Sequence, residues 1–182
     1  MKVILGVTGS VAATLTPKIV KQLKAAKHEV QIIATEKALY FFRVKETGVK
    51  VWLEKDEWPN KRYMRDESVG HIKLRDWADL LLIAPLSANT LVKMANGLCD
   101  NLLTSVVRAW DLGKPVVAAP AMNTKMWNHP VTQKHLAILR SPGWYKLKLV
   151  NPVAKRLACG DEGVGAMADI NDIIKAVNLF KK

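Results

Sequence analysis

The chain has 182 residues, 49% of them hydrophobic, which is enough for one compact domain with a full core and excludes a disordered or fibrous chain. No apolar run is long enough to span a bilayer, and the opening MKVILGV is too short for a signal-peptide core before VTGS interrupts it. Two cysteines far apart, Cys99 and Cys159, make no disulfide framework, so a reducing, cytoplasmic setting is expected.

The formal net charge of +12 comes from scattered lysines and arginines, with modest clusters at 61–65, 146–148 and 155–156. No recognition helix, RNP-like segment or zinc finger accompanies them. The expectation is therefore neither a nucleic-acid nor a membrane partner, but a solvated basic surface that attracts anionic small molecules.

Taken in order, Lys2–Val7 (KVILGV) reads as a strand and Thr8-Gly9-Ser10 as a tight turn. Residues 11–24 carry apolar side chains at helical spacing (Val11, Leu15, Ile19, Val20, Leu23). Glu29–Ala34 is a second strand, Thr35-Glu36 opens a helix over 37–43, and 49–53 is a weaker third strand. The polar, aperiodic stretch 54–70 reads as a loop. Residues 79–84 (DLLLIA) are continuously apolar, as in strands covered on both faces, and Pro85 is expected to end that strand. Helices over 88–95, capped by Ser87, and 101–110 follow. A strand over 115–119 stops at Pro120, a helix covers 131–139, an edge strand 144–150, and a closing helix 170–180.

Strands that alternate with helices imply a single α/β domain with a Rossmann-like (flavodoxin-like) doubly wound parallel sheet. Ligands of such sheets bind at the carboxyl ends of the strands. The segments 8–10, 35–36, 85–90 and 120–123 should therefore face one crevice.

Each of these segments carries chemistry that also has a plain structural explanation. Gly6-Val7-Thr8-Gly9-Ser10 can cradle a phosphate, or it can be a turn that needs glycine. Ser87, Asn89 and Thr90 suit an anionic or amide-rich ligand; capping by Ser87 explains one of the three. Asn123, flanked by Pro120 and Pro130, is a rigid polar probe. Met122, Met126 and Trp127 form an apolar wall or ordinary core, the latter fitting Trp127 better. His71 can act as a base near neutral pH or simply sit at the surface. Cys99 reads as a packed thiol, and no His/Cys/Glu spacing indicates a metal. In 157–168 (LACGDEGVGAMA) the close glycines argue against a helix or a good strand and for a mobile flap carrying Cys159, or for a surface loop with an incidental thiol.

The segments VTGSVAA, HIKLRDWADLLLIAPLSANTL, GLCDNLLT, PAMNTKMWNHP and LACGDEGVGAM occur in this order. Together they resemble the flavin-dependent cysteine decarboxylase family over nearly the whole chain, and within it the branch acting on 4′-phosphopantothenoylcysteine in coenzyme A biosynthesis. The resemblance implies FMN as cofactor, held by Gly9, Ser10, Val11, Thr35 and Phe41 and completed by Ser87, Ala88, Asn89, Thr90 and Ala121. It implies His71 as the essential histidine and Asn123 as the ligand of the substrate carboxylate. Met122, Ala166 and Met167 would contact substrate beside it, and Cys159 would protonate the intermediate from a closing flap. It implies a homotrimer, or a multiple of trimers, with FMN at subunit boundaries. Bacterial relatives carry arginine where this chain has Ala166, so an anion contact would fall to Lys155 or Arg156. Competing readings are a peptidyl-cysteine decarboxylase, a non-catalytic phosphatase-regulatory relative and a flavin prenyltransferase. The retained His71, Asn123 and Cys159 and the PAMN and flap segments disfavour the last two.

Overall fold

The computed structural model describes residues 1–58, 60, 62, 69–156, 160 and 162–181. Six parallel strands form the central sheet: β1 (Lys2–Val7), β2 (Glu29–Ala34), β3 (Val51–Trp52), β4 (Leu80–Leu86), β5 (Pro115–Pro120) and β6 (Lys146–Leu149). Their spatial order is β3-β2-β1-β4-β5-β6, the six-strand doubly wound arrangement. The winding reverses between β1 and β4, and a crevice opens there beyond the strand ends.

Two-sided burial explains the continuous apolar runs. In β1, Val3, Leu5 and Val7 face one core, and Ile4 faces the other. All seven residues of β4 are buried. The first core is closed by α1 (Thr16–Ala25) and α7 (Ile170–Asn178) through Ile19, Val20, Leu23, Ile173 and Val177. The second is closed by α2 (Gly70–Trp77), α3 (Ala88–Asn96), α4 (Leu102–Arg108) and α6 (Pro130–Arg140) through Leu74, Leu91, Leu103 and Leu136. Each such side chain contributes about 1.5–3 kcal/mol on leaving water.

Several expectations are corrected. Residues 11–15 form a 3-10 turn ahead of α1, and 36–40 form another in place of the expected helix. Pro85 does not end β4, which runs on to Leu86, whereas β5 does stop at Pro120. The register between β4 and β5 shifts between Ile83 and Leu86, and an irregularity of that kind accommodates a residue without an N–H. Gly70 starts a helix, and Thr124–Asn128 forms a short one, α5. Within the proposed flap, Glu162–Ala166 is a strand (β8) paired antiparallel with β7 (Val153–Arg156). Cys99 is exposed rather than packed, because it lies in the connection after α3. No helix among the described residues is long and apolar enough to cross a membrane.

Candidate active site at the sheet switch point

A cavity of about 850 Å³ sits at the carboxyl ends of β1, β2, β4 and β5. The turn after β1 gives it Gly9, Ser10 and Val11, and the segment after β2 gives Thr35 and Phe41. The residues after β4 give Ser87, Ala88, Asn89 and Thr90. The segment after β5 gives Ala121, Met122 and Asn123. All ten residues expected to hold the cofactor, and two of those expected at the substrate, thus meet in one place.

Local chemistry explains the placement. Thr8, fully buried at the end of β1, donates from its hydroxyl to the Pro85 carbonyl (2.7 Å) and accepts from the Ser87 N–H (2.8 Å). That pair of bonds ties the turn after β1 to the start of α3 across the switch point. The Ser87 hydroxyl oxygen accepts from the Thr90 N–H (3.3 Å) and lies 3.3 Å from the Thr90 hydroxyl, so both residues are occupied in the cap. Asn89, exposed and lining the cavity, is the polar side chain of this run that the cap leaves over. Ser10 caps the helical run that follows it, accepting from the Ala12 N–H (3.4 Å). The turn has no room for a side chain at Gly9, where a Cβ would stand 2.7 Å from Lys37 Cβ.

Asn123 caps α5, its Oδ1 accepting from the Lys125 N–H (2.8 Å). This bond orients the side-chain amide at the cavity wall. The β7–β8 hairpin docks against the same wall. Gly165 accepts from the Met122 N–H (3.0 Å), and a Cβ there would collide with the Met122 carbonyl oxygen. The glycines that argued against a strand are what permit this strand to lie so close.

Of the remaining expected residues, the described ones (His71, Ala166 and Met167) do not line the cavity. Met167 is 6% exposed and belongs to the core beneath α7, and Ala166 pairs with Val153 at the end of β8. His71, in the first turn of α2, does not line the cavity among the described residues. Its Nδ1 lies 2.7 Å from Oε1 of Glu57. Lys155 is bonded to Asp169 (2.9 Å) at the exposed surface, a pairing that holds the Asp169 carboxyl below its usual range. Cys159 lies outside the described residues, as do 157, 158 and 161, and the side chain of Arg156 is likewise not described.

Sequence reading missed the charged rim: Glu36, Lys37, Glu54, Lys93 and Asp100 also line the cavity. Lys93 holds both oxygens of Asp100 (2.8 and 2.6 Å), and this contact keeps the Asp100 carboxyl below its ordinary value. Glu54 and Glu57 fell in the aperiodic stretch and carried no spacing signal. Among the described residues no cluster of His, Cys, Asp and Glu could hold a metal ion.

Hydroxyls and backbone groups at strand ends, with Phe41, Ala121 and Met122 as apolar walls, fit a mononucleotide with a planar ring. The fold and site thus define a doubly wound α/β protein built to hold such a group. The chain matches the Flavoprotein family over residues 1–180 and belongs to it. It is 48% identical over 177 residues to phosphopantothenoylcysteine decarboxylase of Mus musculus, covering 97% of this chain and 85% of that one. Its fold is similar to a cysteine-to-serine mutant of PPC decarboxylase complexed with pantothenoylaminoethenethiol (TM-score 0.92, 45% identity, 98% and 97% coverage). It is similar also to the FMN-binding protein AtHal3 (TM-score 0.88, 46% identity, 99% and 96% coverage).

Proposed function

We propose that this protein decarboxylates 4′-phospho-N-pantothenoylcysteine to 4′-phosphopantetheine in coenzyme A biosynthesis, with FMN as cofactor. The observation that carries this reading is the meeting of Asn123 with the cofactor-holding turns in one cavity. The likeness to the mouse decarboxylase and to the liganded PPC decarboxylase supports the choice of substrate over a peptide cysteine.

Loss of CO₂ from a cysteine carboxylate leaves a carbanion with no neighbouring acceptor. FMN, when bound, supplies a reversible two-electron acceptor that converts the adjacent thiol-bearing carbon into one, with no net oxidation over the cycle. The protein's part is placement and proton handling. The Asn123 amide N–H orients the substrate carboxylate. Ala121 and Met122, both buried, form an apolar wall that keeps water from the leaving carboxylate. His71 takes the substrate thiol proton, and Cys159 later donates a proton to the enethiol that follows CO₂ loss.

Assembly as a trimer, or a multiple of trimers, with the site at subunit boundaries is supported by two observations. His71 does not line the cavity of its own chain, and Val11 and Met126 stand 49% and 48% exposed at the cavity's edge. A cytoplasmic location accords with the exposed thiol of Cys99.

The test is product analysis with Cys159→Ser. A hydroxyl is a far weaker acid than a thiol, so this variant should release CO₂ and accumulate the enethiol. Normal formation of 4′-phosphopantetheine by the variant would overturn the role given to Cys159.

A further inference from the structure

The contact between His71 and Glu57 links two residues fourteen positions apart. Glu57 is 3% exposed at its side chain, whereas the His71 side chain is 24% exposed. A carboxylate so enclosed is not a solvated surface charge that chances on a partner. The 2.7 Å contact places the Glu57 carboxyl where it can accept a hydrogen bond from a proton on Nδ1 of His71. Among the described residues nothing bonds Nε2.

The surroundings hold this arrangement in place. Glu57 closes a 3-10 turn formed by Glu54–Asp56, its N–H donating to the Glu54 carbonyl (3.1 Å). The same turn is fixed at its other end, where Glu54 accepts from the Leu102 N–H at the start of α4 (2.8 Å) and Asp56 accepts from the Leu53 N–H (2.7 Å). On the histidine side, a Cβ on Gly70 would stand 3.1 Å from the Glu57 Cα, so the start of α2 is seated directly on the Glu57 backbone. Backbone and side chain thus hold His71 from two directions.

We propose that Glu57 is a positioning residue for the reaction: it fixes His71 as the Nδ1–H tautomer, so that Nε2 is the nitrogen offered to substrate, and its charge stabilises the imidazolium formed there. This rests on His71 acting as the base. The step is a proton transfer from the substrate thiol to Nε2, which leaves a thiolate and an imidazolium while Glu57 stays ionised. Glu57 does not line the cavity and acts through His71.

The test uses the full-length FMN-loaded protein with ¹⁵N-labelled histidine, together with Glu57→Gln and Glu57→Leu. Nitrogen shifts of the unmodified protein should show His71 protonated at Nδ1 and bare at Nε2. Glu57→Leu should lose roughly 100-fold in kcat, the lower end of what a positioned base contributes, with KM and the bound-flavin spectrum unchanged. Glu57→Gln, whose amide oxygen still accepts from Nδ1–H, should keep the tautomer but, lacking the charge that stabilises the imidazolium, should recover only part of that loss. Should Glu57→Leu fail to fold, the glutamine variant and the spectrum of the unmodified protein decide the matter. His71 protonated at Nε2, or full kcat in a folded Glu57→Leu, would overturn the proposal. His71→Asn separates the two readings: full activity there would remove the histidine's own role, whereas its inactivity beside a fully active Glu57→Leu would remove only that of Glu57.

Discussion

The Thr8 hydroxyl accepts a hydrogen bond from the Ser87 N–H at 2.8 Å across the point where the sheet reverses its winding. The same hydroxyl donates to Pro85, so one buried side chain joins the two turns that bound the cavity. Thr8→Val keeps the shape and removes both bonds, which leaves the Ser87 N–H buried without its partner. The expected cost is about 1–3 kcal/mol in unfolding free energy, with weaker flavin uptake. Urea midpoints and a fluorescence titration with FMN check this; Thr8→Ser should retain most of both.

Asn123→Asp should separate binding chemistry from folding. Aspartate caps a helix as well as asparagine does, so the α5 cap on Lys125 survives. The new carboxylate faces the substrate carboxylate, and like charges repel. Turnover should be lost while the bound-flavin spectrum and thermal midpoint remain.

Gly165→Ala places a methyl group against the Met122 carbonyl oxygen and forces β8 off the cavity wall. Overpacking of this kind costs about 1–3 kcal/mol. The Met122 N–H, which donates to Gly165 at 3.0 Å, should lose its protection in hydrogen exchange, and KM should rise.

His28 gives the pH dependence. The residue is 5% exposed, its Nε2 lies 2.8 Å from Asn178 Oδ1, and its Nδ1 is buried with no partner among the described residues. Burial pushes its pKa below 6.5, against an opposing pull from Asn178; the N-terminal ammonium and Lys181 add to the depression. The folded chain therefore binds fewer protons than the unfolded one just below that pH. Stability should be intact above pH 6.5 and fall as pH drops through it. Urea midpoints between about pH 8 and 5.5 should show this slope, and His28→Gln should flatten it.

The parallel core was legible because β1 and β4 are apolar runs closed by turn residues, as strands covered on both faces tend to be. The turns that line the cavity were legible by the same logic, since they follow those strands. The β8 strand was not, because Gly163 and Gly165 are there for what they approach rather than for strand propensity. The passage of β4 through Pro85 depends on a register shift against β5, a tertiary fact. Glu57 was hidden for a similar reason: its partner stands fourteen residues away across an aperiodic stretch.

The central claim is tested most directly by a turnover assay. The purified protein, saturated with FMN, is mixed with 4′-phospho-N-pantothenoylcysteine under nitrogen, and released CO₂ and the thiol product are measured. The account predicts one CO₂ and one 4′-phosphopantetheine per substrate consumed, with the flavin oxidised again at the end. Bound flavin with no CO₂ release from this substrate would contradict it.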